Sequence, residues 1–304
     1  MTHNIYLFPV RITQSFMRFL AASVCLAAVA LADSHRKSPT SKIYVADIVG
    51  DAQIDTGTEI DDLTKKSVYN ASGTAIETKD KSNASLVLSN GTGLFFDVGT
   101  RAEIRDFEQA AFRPNRSDAE EEPSLSRTHV FVDHGVIGVS TSKLVAGSVV
   151  VYDTSLASAT IHGREAVIHA SDTMTVISMV NGEATVQAGP LDRPHQVKNR
   201  QQAIVRPGKT PDLNIIEIID IPDGNQDDAE QWIEERVQIA ESARKLVYFE
   251  VQTRSGSGSS SSADIDLFDG ASPDTGDRQI VAIPVVPGDA VNGPVVSPAN
   301  LTSH

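Results

Sequence analysis

Three groups of residues in this sequence have the side-chain types that acid, nucleophilic or metal chemistry requires. Asp55-Thr56-Gly57 and Asp274-Thr275-Gly276 repeat one tripeptide. Two such loops set face to face can hold carboxylates close enough to share a proton and activate water. Each loop must then be gripped between apolar strands. The first copy sits where a polar hairpin tip is expected, and the second lies between Pro273 and Asp277 with no strand pattern around it. Asp133, His134 and Ser140 supply the types of a nucleophilic triad, but no Gly-x-Ser-x-Gly elbow is present, and Asp133-His134-Gly135 reads as a turn. His162 and His169 could meet across a hairpin and bind a metal, yet two ligands with no cysteine nearby make an incomplete site. No phosphate loop, dinucleotide fingerprint or zincin motif occurs. The sequence therefore assigns no catalytic, cofactor-binding or metal residue, and no cofactor.

The elements that would position these residues are short strands. Met174–Val180, Asn181-Gly182 and Glu183–Ala188 read as two strands joined by a two-residue turn, because Asn-Gly between β-formers suits a type I′ hairpin. On this reading Val176 and Val186 face the core. Ala84–Leu88, Asn90-Gly91 and Leu94–Phe96 form a second hairpin of the same kind. Asn90, Gly91, Gly135, Gly163, Asn181 and Gly182 are thus the structural turn candidates. Lys42–Ile221 carries many short strands with turn residues between them and no helical periodicity, which predicts an all-β fold, either a β-sandwich or a short β-solenoid. Pro114–Ser126, rich in acid, reads as a solvated loop. Ala229, Trp232, Ile233, Val237, Ala240, Ala243 and Val247 mark one stripe of an amphipathic helix over 226–249, expected to pack on the β domain. Residues 254–304, rich in Ser, Gly and Pro, read as a disordered tail that could lay one extended strand on a sheet edge.

The N-terminus carries a different signature. Residues 1–32 read as a secretory signal, with Arg11 and Arg18 before the apolar run Phe19–Leu31 and a small-x-small Ala30-Leu31-Ala32. The run is shorter than the roughly 20 residues of a spanning helix. A polar leader, 33–41, follows. The only cysteine, Cys25, falls within the signal, so disulfide and thiolate chemistry is excluded from the chain after cleavage. The formal net charge is −14, with 26 basic and 40 acidic residues. Such a surface repels phosphate backbones and argues against nucleic acid as a partner.

The order of these pieces resembles the FecR domain, the extracytoplasmic β-domain named after the ferric-citrate regulator. The resemblance runs from about Lys42 to Gly208. It rests on Val49-Gly50, Leu63–Val68, Ile76-Glu77-Thr78, Ser82–Thr92, Val132–Val139, Asp153-Thr154, Ile161-His162-Gly163 and Thr175–Val186. Where the family has Arg-Gly-Thr before an aromatic residue, this chain has His162-Gly163-Arg164-Glu165-Ala166, keeping the glycine alone. The resemblance is to stand-alone secreted members, without the cytoplasmic anti-sigma domain of the regulators. It implies a secreted or periplasmic, non-catalytic interaction module whose partner is an envelope protein or glycan, with a role in sensing or signalling. A secreted hydrolase acting on glycan or peptide, and a structural envelope protein, are the readings set against it.

Overall fold

The computed structural model describes residues 40–112, 120–210, 213–222, 229–255, 278–286 and 295–296. In chain order the first strands are β1 (Lys42–Val49), β2 (Ala52–Asp55), β3 (Ile60–Asp62), β4 (Ser67–Asn70), β5 (Thr74–Thr78), β6 (Asn83–Leu88), β7 (Gly93–Phe96), β8 (Arg101–Gln109) and β9 (Ser126–Ser140). They continue as β10 (Val149–Asp153), β11 (Ser158–Ile161), β12 (Glu165–Ala170), β13 (Thr175–Asn181), β14 (Ala184–Gln187), β15 (His195–Val197), β16 (Gln201–Thr210) and β17 (Leu213–Asp220). Helix α1 (Ala229–Leu246) follows, then β18 (Tyr248–Ser255), β19 (Arg278–Val285) and β20 (Val295–Val296).

Pairing sorts these strands into two layers. Layer A runs β4-β1-β6-β7-β9-β12-β13-β16-β17. Layer B runs β3-β2-β5-β8-β9-β10-β11-β14-β15. Strand β9 belongs to both. Its first half pairs with β8 and β10, and its second half, from Gly135 onward, pairs with β7 and β12. The inward residues are Val130 and Val132 before the crossing and Ile137 and Val139 after it, so the side-chain phase slips by one. The slip is a bulge, with the register against β8 jumping between His134 and Val132. Asp133-His134-Gly135, expected as a turn, is this bulge within one continuous strand. Gly135 takes φ +92°, and a Cβ there would collide with Thr100.

One core lies between the layers. Ile43, Leu86, Phe96, Ile137, Ile168, Ile177 and Val205 from layer A meet Ile54, Ile76, Ile104, Val130, Tyr152, Val186 and Val197 from layer B. The architecture is the all-β fold of many short strands that the pattern predicts, arranged as two face-to-face layers. The buried Tyr152 phenol is pushed well above its ordinary pKa by loss of solvation and stays neutral at physiological pH.

The helix lies on the outer face of layer A. Ile233 and Val237 pack with Val136, Val167 and Ile221, while Ala243 and Val247 pack with Tyr44, Val68 and Val87. This is the predicted stripe. Two glycines on neighbouring strands let the helix backbone approach closely. A Cβ on Gly138 would lie 2.5 Å from the Arg236 carbonyl oxygen, and one on Gly93 would collide with the Ala240 carbonyl. Arg236 locks the seat, its Nε donating to Asp97 Oδ2 at 2.8 Å while its guanidinium lies 3.8 Å over the Trp232 ring.

Three expectations are corrected by these elements. Met174–Val180 and Glu183–Ala188 do not form a hairpin. Strand β13 pairs with β12 and β16, and β14 pairs with β11 and β15. Asn181-Gly182 is therefore a corner taking the chain from layer A to layer B, with positive φ at Gly182 (+103°) and not at Asn181. Val176 accordingly lies half-buried on the outer side, where it is in register with Ile204, while Ile177 and Val186 point into the core. Lastly, part of the tail expected to be disordered is a strand. Arg278–Val285 pairs antiparallel with Tyr248–Ser255, and Phe249 and Ala282 of this ribbon join the cluster under the end of the helix. Residues 1–39, with the expected signal, and Asp274-Thr275-Gly276 lie outside the described residues.

Candidate functional site

The residues singled out for chemistry are kept apart by the fold. Asp55 makes an Asx turn, its Oδ1 accepting from the Gly57 N–H at 2.8 Å at the exposed tip between β2 and β3. Asp133 and His134 pair with each other at 2.9 Å on the surface. Ser140 lies seven residues beyond Asp133 on the same extended strand, roughly 20 Å away at strand rise. It is buried and accepts from Arg244 Nε at 3.1 Å. His162 contacts Thr185 Oγ1 at 3.3 Å at the layer crossing, whereas His169 sits on the outer side of layer A in register with Val136 and Val176. Burial holds the His169 imidazole below its ordinary pKa. Among the described residues, no group of three or more His, Cys, Asp or Glu side chains could hold a metal ion.

The turn candidates fall into two groups. Asn90 and Gly91 close the β6–β7 hairpin as expected, with the Leu88 N–H donating to the Thr92 carbonyl at 2.8 Å. Gly163 and Gly182 meet at the paired corners where β11 passes to β12 and β13 passes to β14. The Arg164 N–H donates to the Asn181 carbonyl at 2.9 Å, and the His162 N–H to the Glu183 carbonyl at 2.8 Å.

A buried polar network was invisible in the sequence. Glu122, within the acidic stretch expected to be solvated, is 1% exposed. Its Oε2 accepts from the Val145 N–H at 2.9 Å and from Ser148 Oγ at 2.6 Å. Its Oε1 accepts from Ser126 Oγ and from Asn90 Nδ2, the latter at 3.4 Å. Donors from three separate segments thus hold one carboxylate, which is how a buried charge is tolerated. Nearby, Arg244 is also 1% exposed. Burial foremost, then the charge of Arg164, lowers its pKa, while Glu120, Glu241 and Glu165 oppose the shift. With its carboxylate buried, the network ties the hairpin, the start of β9 and the β9–β10 loop together. Glu122→Leu leaves those donors unpaired and is expected to cost about 3 kcal/mol. Glu122→Gln, which keeps the shape and one acceptor, is expected to cost about 1–2 kcal/mol. Urea midpoints of the two variants check the order, and equal, negligible losses would remove the network from the account.

The accessible feature of note is an edge. Layer B ends in two three-residue strands, β3 and β15, and the β4 edge of layer A is met by β20 in parallel. Short or covered edges resist pairing with other chains. The remaining edge of the two layers, β17, has eight residues, Leu-Asn-Ile-Ile-Glu-Ile-Ile-Asp. Its ends are pinned by the Asn214 N–H to Ala188 and the Ile221 N–H to Arg200. Between those ends, among the described residues, it pairs with β16 on one side only. Ile215 is 61% exposed, and Glu217, which pairs with Arg206, is exposed beside it.

No protein-family profile matches the chain, and no curated protein matches it. Two crystal structures of a proposed anti-sigma factor from Parabacteroides distasonis are similar in fold over 48% of this chain. Sequence identity is 15%, with TM-scores of 0.36 and 0.35. The chain spans 60% of the length of those proteins.

Proposed function

We propose that this chain is an exported, FecR-like β-module that works by binding, without catalysis, and that an envelope protein adds an extended strand to β17. The open edge of β17 carries the reading, since the other three edges of the two layers are short or met by another strand. Strand addition draws affinity from main-chain hydrogen bonds and specificity from alternate side chains. Here Ile215, Glu217 and Ile219 would supply that alternation on the outer side. The Phe19–Leu31 run with Ala30-Leu31-Ala32 supports export, and the order of elements over Lys42–Gly208 supports the FecR-like assignment. Among the described residues no helix is long and apolar enough to cross a membrane.

Photo-crosslinking from within the native envelope fraction tests the reading. A crosslinking residue at position 215 should give one discrete protein adduct, and the same residue at Ile60, on the short edge β3, should not. Ile218→Pro, which removes a main-chain donor from the edge strand, should weaken the adduct by about tenfold or more. Sedimentation with bulk glycan, unchanged by the proline, would replace the strand partner with a glycan surface. Turnover of a glycan or peptide by the purified chain would replace binding with hydrolysis.

A further inference from the structure

The two described Asn-Gly pairs are chemically identical and structurally opposite. At Asn90-Gly91 every reacting group is occupied. Asn90 is 1% exposed, its Nδ2 donates to Ser126 Oγ at 3.0 Å and to Glu122, and its Oδ1 accepts the Thr92 N–H at 3.1 Å. The Gly91 N–H donates to the Leu88 carbonyl at 2.9 Å. At Asn181-Gly182 the same groups are unengaged. Asn181 is exposed, and its carboxamide makes no hydrogen bond among the described residues. Its backbone carbonyl is held by Arg164, but the Gly182 N–H donates to nothing described. Gly182 also has no Cβ to shield its nitrogen.

We infer that Asn181 is a site of spontaneous deamidation, turning the layer corner into a mixture of aspartate and isoaspartate. The Gly182 nitrogen attacks Cγ of Asn181, forming an N–Cγ bond. The Cγ–Nδ2 bond breaks and ammonia leaves with the proton released by the attacking nitrogen, giving a five-membered succinimide. Water then opens one of its two carbonyls. One opening returns an ordinary aspartate, and the other leaves the main chain running through the side chain as isoaspartate. The net change is loss of ammonia, gain of water and one added negative charge.

The corner cannot absorb the isoaspartate product without moving. A Cβ built on Gly163 would lie 2.5 Å from the Asn181 carbonyl oxygen and 2.8 Å from Gly182 Cα, so the two chain crossings are already in contact. One extra main-chain carbon at Asn181 pushes the crossings apart and misaligns the bonds from Arg164 and His162.

The test is ageing of the full folded chain at mildly alkaline pH, followed by peptide mapping with electron-transfer fragmentation and isoaspartyl methyltransferase labelling. Asn181 should lose its amide roughly tenfold or more faster than Asn90, because a buried, bonded amide reacts only through local opening. In urea the two rates should converge. The third pair, Asn292-Gly293, lies outside the described residues and is read from its own peptide. Asn181→Ser should abolish labelling at this corner, and aged wild-type protein should melt earlier than aged Asn181→Ser. Equal loss at Asn90 and Asn181 in the folded chain would overturn the inference, as would an Asn181 that reacts in urea but not in the native protein.

Discussion

Val186→Asp should destabilise the protein by at least about 3 kcal/mol, the scale expected for an unpaired charge placed among apolar side chains. Val186 is 0% exposed and meets the core from the layer B side, so the carboxylate would have no route to solvent. Thr160 lies on β11, the strand beside β14, and is in register with Thr185 on the outward row. Thr160→Asp should shift stability by no more than about 0.5 kcal/mol. Urea denaturation of the pair makes the comparison. Similar losses in both would mean that layer B does not cover a core.

Gly138→Leu should have an effect of the same order by a different route. The helix main chain, not a yielding side chain, occupies the space a Cβ would need, with the Arg236 carbonyl carbon 2.8 Å and its oxygen 2.5 Å away. Overpacking against backbone costs about 1–3 kcal/mol, occasionally more, and the leucine side chain requires α1 to lift from the sheet. Lifting would separate Arg236 from Asp97, held at 2.7–2.8 Å, and would wet Trp232, the only tryptophan in the chain. The expected observation is a red-shifted tryptophan emission that precedes the loss of β-sheet circular dichroism in a urea titration. Glu234→Ala, at a partly exposed position on the same helix, should leave both signals in step. A Gly138→Leu variant with wild-type emission and midpoint would show that α1 is not seated on these glycines.

The strands were legible in the sequence because alternation is a local property, and the helix stripe was legible for the same reason. What local pattern cannot carry is the destination of the next strand. Asn90-Gly91 turns β6 back onto β7, whereas Asn181-Gly182 sends β14 to the other layer. The difference lies in distant partners, Gly163 for one corner and Glu122 and Ser126 for the other. The misplacing of Val176 follows directly, since a strand assigned to the wrong partner carries its side chains to the wrong face. Glu122 was hidden by its surroundings, because an acid among Glu120, Glu121 and Pro123 has the composition of a solvated loop. Only the donors from residues 90, 126, 145 and 148 make it an interior residue. Arg244 lies in the last turn of the helix, where a basic side chain suits the dipole. It is buried because the helix end descends onto Ser140.

The passage of β9 through both layers governs how the chain can fold. Neither layer is a separate cooperative unit, since β9 is the middle strand of both. The chain also alternates between layers along its length, and the pairings of β1 with β6, β5 with β8 and β11 with β14 each span residues belonging to the opposite layer. Topologies dominated by such non-local pairing fold in milliseconds to seconds, well behind helical domains of similar stability. Layer A lacks its β17 edge until Leu213–Asp220 has been made, so a growing chain stays short of its native state until most of its length is available. A cut within β9 should consequently dissolve both layers in a single transition, with no surviving half.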